Sequence, residues 1–186
     1  LQAQIEPHFL YNTLANVQHL IAHRPADAEA MLTGLIRYLR ESLPKMRSTC
    51  SSLEQEFALA AAYLDIARIR LGGRLTVDVD LPGELKTCPF PPLVVQTLVE
   101  NALKHGVEPK VGPATIRIGA SAREDEVCVW VADDGVGLGV VQGTGYGLRN
   151  TRERLAAIYG QEAALTLAPN NPNGVVATVC IPRESA

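Results

Sequence analysis

LVENALKHG, residues 98–106, sets an asparagine in the middle of what otherwise reads as an amphipathic helix. Asparagine competes with the backbone for hydrogen bonds and has poor helix propensity, so its position there needs a reason. One reason is ligation, because magnesium takes oxygen ligands such as an amide carbonyl and keeps several waters. Glu100 and Lys104 stand four apart, as do Asn101 and His105, the spacing at which helical side chains share a face. Lys104 and His105 are then placed to meet phosphate oxygens. Pro91 and Pro92 suit a first helical turn and Gly106 suits its end, so one helix is expected over 91–106.

Two further stretches carry chemistry. VADDGVGL, residues 131–138, follows a run that alternates like a strand. Gly135 and Gly137 let the chain turn closely past a ligand, and Asp133 can accept a hydrogen bond from an exocyclic amine such as that of adenine. GTGYGL, residues 143–148, brings Gly143, Gly145, Gly147 and Leu148 directly before RNTRERL. Glycines ahead of a helix N-terminus leave backbone N–H groups free to face an anion, and the helix dipole helps. No GK[ST] follows, which excludes a Walker A loop, and no βαβ unit surrounds the glycines, which excludes a Rossmann site.

The chain divides near LGGRL (71–75). Before it the pattern is helical: Leu10, Leu14, Val17 and Ile21 form one stripe, and Leu32, Leu35, Ile36, Leu39 and Leu43 a second, with Pro25 between and Pro44 at the end. SSLEQE (51–56) reads as a capping box opening a third helix, striped by Leu53, Phe57, Ala60, Leu64, Ala67 and Leu71. After it RLTVDVDL alternates as a strand, ATIRIGASA and EVCVWVADD read as one hairpin, and AALTLAP and GVVATVCIP as another around NNPNG. The expected fold class is α+β: an N-terminal helical hairpin (1–50), then an α/β sandwich (51–186, with 51–72 a connecting helix) whose helices cover one face of the sheet.

Composition bounds the function. With 47% hydrophobic residues and a net charge of -3, the chain can build a core and lacks the basic balance of a nucleic-acid module. Cys50, Cys88, Cys128 and Cys180 lie far apart, which suggests reduced, buried thiols and neither zinc nor a disulfide framework. Trp130 reads as a core residue. FALAAAYL (57–64) is far too short to span a bilayer. The opening on Leu1, within a helical pattern, suggests a fragment.

Taken together, the three motifs closely resemble the N, G1 and G2 boxes of the ATP-binding fold shared by histidine kinases, type II topoisomerases, mismatch-repair ATPases and heat-shock chaperones, over about residues 74–182. The resemblance implies that Asn101 holds magnesium, that Asp133 reads adenine, and that Gly143, Gly145 and Gly147, with Leu148, pass over the phosphates of ATP or ADP. It also implies that Thr178 lies near the adenine. The segment between the last two boxes, GLGVVQ, is short and implies a lid with little structure of its own.

The first helix selects a branch of that fold. LQAQIEPHFLYNTLANVQHLI, residues 1–21, resembles the phosphoacceptor helix of the LytS/AlgZ-type sensor histidine kinases. The resemblance implies that His8 takes the γ-phosphate of ATP and passes it to an aspartate of a response regulator, of a kind that commonly carries a LytTR domain. It also implies that the first two helices pair with a second subunit in a four-helix bundle, and that the chain is the cytoplasmic portion of a membrane-anchored sensor. Imidazole is largely neutral near pH 7 and needs little help to act as a nucleophile. Phe9 follows His8 where other kinase groups have an acid. Pro7 frees the Ala3 carbonyl and can kink the helix. Glu6 stands where the group usually has asparagine, and either repels the phosphate or holds the ring. Glu100 either acts as a base or polarises the magnesium shell. Asn12, four residues after His8, either orients a water or phosphoaspartate beside it or fixes helix register. Gln4 lies one turn the other way, and His19 and His23 form a possible metal pair without an evident third ligand. Two other functions fit parts of the chain: a nucleotide-binding phosphatase or scaffold without histidine phosphorylation, and a motor-type ATPase.

Overall fold

The computed structural model describes residues 7–45, 50–123, 125–138 and 146–183. Two helices open it, α1 (Pro7–His23) and α2 (Pro25–Lys45), joined at Arg24. Pro25 occupies the first position of α2, where its missing N–H costs nothing. Helix α3 (Leu53–Arg70) starts on the expected capping box: Ser52 accepts from the Gln55 N–H at 3.3 Å, and the Gln55 side chain accepts from the Ser52 N–H at 3.4 Å.

The first two stripes lie differently from their sequence reading. The residues of α1 that face inward are Phe9, Thr13, Val17 and Leu20, and those of α2 are Ala28, Met31, Leu35, Tyr38 and Ser42. Leu14, Ile21, Leu32, Ile36 and Leu43 are exposed instead. The hairpin therefore carries two apolar faces, one spent on its own core and one turned outward. Helix α3 is buried nearly all round, because α2 covers one side and the sheet domain the other.

A five-stranded sheet runs in the order β2-β4-β5-β7-β6, from β2 (Leu75–Asp80), β4 (Ala114–Arg123), β5 (Glu126–Asp133), β6 (Ala164–Pro169) and β7 (Val175–Pro182). The β2–β4 pair is parallel and the rest antiparallel. Both expected hairpins form, and the α+β class holds. A small pair, β1 (Ser51–Ser52) with β3 (Pro89–Phe90), ties the start of α3 to the approach to α4. Val127, Val129 and Val131 point with Ile116, Ile118 and Val179 into the core beneath α3, α4 (Val94–Asn101) and α5 (Tyr146–Tyr159). Burial pushes the Arg154 guanidinium of α5 below its ordinary range, and the carboxyl of Glu56, wholly buried on α3, opposes that fall.

Three expectations change on the open face and at the cysteines. Cys128 and Cys180 are directly opposed across β5 and β7, 4.1 Å apart at Cα, and are joined as a disulfide. Strand register brings together two residues 52 apart in sequence, so spacing alone hides the pair. Cys50 is exposed and Cys88 partly so, which also corrects the picture of four buried thiols. Trp130 leaves the core: its indole lies on the open face over Gly119, where a Cβ would meet the ring at 2.2 Å.

Candidate functional site

The 91–106 helix is shorter than expected and its end is unusual. The prolines precede it, Leu93 stands at the N-cap with φ 62°, and regular helix covers only Val94–Asn101. A π-helical turn, Ala102–Val107, then carries the chain through Gly106. Such turns are rare and concentrate at functional sites. Here it begins directly after Asn101 and contains Lys104 and His105. Lys104 is exposed, while Asn101 and His105 are half-buried. Glu100 is held on its own helix, where Gln96 Nε2 donates to its Oε1 at 2.8 Å.

Gly106 is no helix terminator. It abuts the carboxyl of Asp133, and a Cβ on it would lie 2.4 Å from Asp133 Oδ1. Gly135 in turn lies against the Gly106 backbone, where a Cβ would come within 2.3 Å. The Gly135 N–H donates to Asp133 Oδ1 at 2.8 Å, and the Val136 N–H to the Gly106 carbonyl at 3.2 Å. Gly174, with φ 107°, closes the other side: a Cβ there would strike the Asp133 carbonyl oxygen at 2.0 Å. Asn170 Nδ2 donates to that same oxygen at 2.7 Å. Asp133 is therefore the centre of a cradle whose walls are backbone, and it is only 2% exposed. Burial pushes its carboxyl above the usual range, with the Gly135 N–H pulling the other way.

Neighbouring residues stiffen the cradle. Asp134 turns away to accept from the Thr115 N–H at 2.8 Å and to pair with Lys110 at 3.0 Å. These bonds outweigh its burial and hold its carboxyl below the ordinary range. Arg74 of LGGRL donates to the carbonyls of Val107, Lys110 and Gly112 at 3.0–3.2 Å, pinning the segment after the π turn. Sequence reading missed Gly106, Gly174, Asn170 and Arg74 as parts of this site. Only the paired glycines of KHG and DDG offered a signal, because the close approach is between segments distant in sequence.

The remaining residues divide. Gly137, with φ 84°, continues from the cradle. Gly147 opens α5 against α4, where a Cβ would lie 3.2 Å from Thr97 Cγ2, one turn before Asn101, and Leu148 is buried behind it. The structure thus brings the helix bearing Asn101, the Asp133 cradle and the start of α5 together. Gly143, Gly145 and most of the GLGVVQ segment lie outside the described residues. Thr178 is not at this site: it pairs with Trp130 on the open face, whereas Asp133 shares the inward face with Val131. Strand alternation puts the two on opposite sides of the sheet.

On α1, His8 is exposed, and Asn12 Nδ2 lies 3.1 Å from its Nε2 and 3.3 Å from its Nδ1. The i,i+4 spacing thus becomes a direct contact. Ala3, Gln4 and Glu6 lie outside the described residues. His19 and His23 stack at 4.9 Å, both exposed. Among the described residues they join no third ligand.

Residues 90–185 match the family described as histidine kinase-, DNA gyrase B- and HSP90-like ATPases, and residues 1–75 match the histidine kinase family. The chain belongs to the histidine kinase-, DNA gyrase B- and HSP90-like ATPases. Among individual proteins it is similar to the sensor histidine kinase YesM of Bacillus subtilis, 35% identical over 98% of this chain and 32% of that protein. It is similar also to the sensor protein LytS of Bacillus cereus, 34% identical over 99% of this chain and 33% of that protein. The chain thus spans about a third of the length of these curated relatives. In fold it resembles the histidine kinase domain of a blue-light activated kinase from Erythrobacter litoralis, with TM-score 0.54 and 17% identity over 92% of this chain and 91% of that one. The catalytic domain of the histidine kinase ThkA gives TM-score 0.55 at 16% identity, over 73% of this chain and 96% of that one.

Proposed function

We propose that this chain is the phosphoacceptor and ATP-binding region of a LytS/YesM-type sensor histidine kinase, which moves the γ-phosphate of ATP to His8 and then to an aspartate of a response regulator. The observation that carries this reading is the exposed His8–Asn12 pair on a helix of the same chain that builds the Asp133 cradle. A lone pair of the His8 ring forms an N–P bond while the bond from the γ-phosphorus to the bridging oxygen breaks, and ADP leaves with that electron pair. The proton on the other ring nitrogen must then depart, and Glu100, held by Gln96, is the carboxylate proposed to take it. Magnesium, when bound, neutralises phosphate charge, and the donor set fits it: Asn101 offers one hard amide oxygen, leaving the other positions to waters and phosphate oxygens. Lys104, His105 and the N–H groups at the start of α5 face the phosphates in this reading, and Asn12, in contact with the His8 ring, orients a water or the regulator's phosphoaspartate beside it.

Incubation with γ-labelled ATP tests the reading directly. Label on the protein is expected. Label released only as free phosphate would favour a motor-type ATPase, and neither outcome would favour a nucleotide-binding scaffold or phosphatase.

In the adenine pocket, Asp133→Asn exchanges a pure acceptor for a group that is partly a donor. The expected loss is about 1–3 kcal/mol of nucleotide affinity, read by calorimetric titration. Affinity in the unsubstituted chain is expected to fall with acidification at a higher pH than for an ordinary carboxylate, because burial raises the Asp133 pKa and the protonated form no longer accepts on both oxygens. Equal affinity in Asp133→Asn at all pH values would remove Asp133 from the site.

The partner proposals are a second copy of this chain and a response regulator of the LytTR class. Leu14 at 50%, Ile21 at 62%, Ile36 at 50% and Leu43 at 55% exposure leave an outward apolar face on the hairpin, and a two-fold four-helix bundle would bury it. The double substitution Leu14→Glu with Ile36→Glu is expected to shift the chain from dimer to monomer in sedimentation while preserving helical content. A wild-type chain that sediments as a monomer at high concentration would overturn the bundle. Among the described residues no helix is long and apolar enough to cross a membrane. Attachment to the membrane is proposed to come from other parts of the sensor.

A further inference from the structure

Three aromatic rings, one from each of the first three helices, meet directly behind the phosphoacceptor. Phe9 follows His8 and is buried while His8 is exposed. Its ring lies 4.6 Å from Tyr63 of α3 at an interplanar angle of 32°, and 5.3 Å from Tyr38 of α2 in an edge arrangement. Tyr38 and Tyr63 close the triangle at 5.8 Å. Helix α1 packs along α2 but touches α3 at few positions, so this triangle is a principal link between the phosphoacceptor helix and the helix that enters the ATP-binding domain.

We propose that Phe9, Tyr38 and Tyr63 form an aromatic clamp that sets the rotation of α1 and so the direction in which His8 faces, with Tyr63 as the positioning residue. The proposal rests on the phosphoacceptor reading of His8. Successive residues of a helix are about 100° apart. Turning α1 by one residue would expose Phe9 and swing His8 toward α3, so the clamp holds one rotation against the other. The helix of Tyr63 also packs against α4, which carries Asn101. Burial drives its phenol far above its ordinary range, and the carboxylate of Glu100, on α4 beside Asn101, adds to the effect. The helix whose Tyr63 meets the ring behind the acceptor is thus the same helix that packs on the one bearing Asn101. Aromatic pairs prefer offset and edge geometries, which makes the packing sensitive to ring orientation and not only to bulk.

Autophosphorylation of the chain tests the clamp through separate kcat and KM values for ATP. Tyr63→Ala is expected to lower kcat on the order of ten- to hundredfold, the scale on which small misplacements of reacting groups act, with KM changed by less than about twofold. Tyr63→Phe keeps the ring and is expected to restore kcat to within about threefold of wild type. Tyr63→Met keeps most of the bulk, is expected to fold, and should remain slow. Wild-type kcat in Tyr63→Met, or a defect in Tyr63→Phe equal to that in Tyr63→Ala, would overturn the clamp. A second readout needs no ATP: acylation of His8 by diethyl pyrocarbonate is expected to change in rate by at least about threefold in Tyr63→Met relative to wild type, while His19 and His23 are unaffected. An unchanged His8 rate overturns the clamp even if the wild-type chain transfers no phosphate, an outcome that would count against the kinase reading alone.

Discussion

His8→Gln is expected to eliminate all protein-bound phosphate while leaving ATP affinity intact. His8 is exposed, and its recorded side-chain contact is with Asn12 one turn along. Glutamine at this position keeps helix propensity and should change stability by no more than about 0.5 kcal/mol. It has no nucleophilic nitrogen, since its amide lone pair is delocalised into the carbonyl. The label on the wild-type chain should be labile in acid and stable in base, as a phosphoramidate is. Label persisting in His8→Gln would move the acceptor to His19, His23 or His105. In the same assay, Asn12→Ala should leave His8 phosphorylated and slow the loss of phosphate from the regulator. Loss of both activities, or of dimerisation, would make Asn12 a register residue instead.

Gly106→Ala is expected to abolish nucleotide binding with Asp133 still present. The added methyl would stand 2.4 Å from Asp133 Oδ1 and 2.6 Å from its Cγ. A short, 2%-exposed carboxyl has nowhere to go, and the Gly106 backbone is itself in close contact with Gly135. Overpacking of this kind costs about 1–3 kcal/mol in stability. The loss of binding should be larger than that of Asp133→Asn, because the whole cradle shifts. Gly83→Ala is the matched control, with nothing within 4 Å of the new methyl, and should bind nucleotide normally. Wild-type affinity in Gly106→Ala would mean that nucleotide does not use the Asp133 cradle.

What the chain discloses before folding is local. The capping box at Ser52, the alternation of β4 and β5, the turn at NNPNG and the glycine and carboxylate chemistry around Asp133 each depend on residues close in sequence, and each is legible there. Helices and strands that interleave along the chain are legible in the same way, and they set the expected α+β class.

Tertiary structure decided the rest, because it depends on which distant segments meet. Thr178 falls on the far side of the sheet through the register of β7 on β5, and the same register joins Cys128 to Cys180. The stripes of α1 and α2 show apolar spacing in sequence, but only α3, by covering one side of the hairpin, determines that Phe9 and Tyr38 turn inward while Leu14 and Ile36 turn outward. The π turn after Asn101 and the meeting of Gly106 with Asp133 arise together. A straight helix ending at Gly106 is what the residues by themselves favour, and the contact with β5, available only in the folded chain, is where the backbone departs from it.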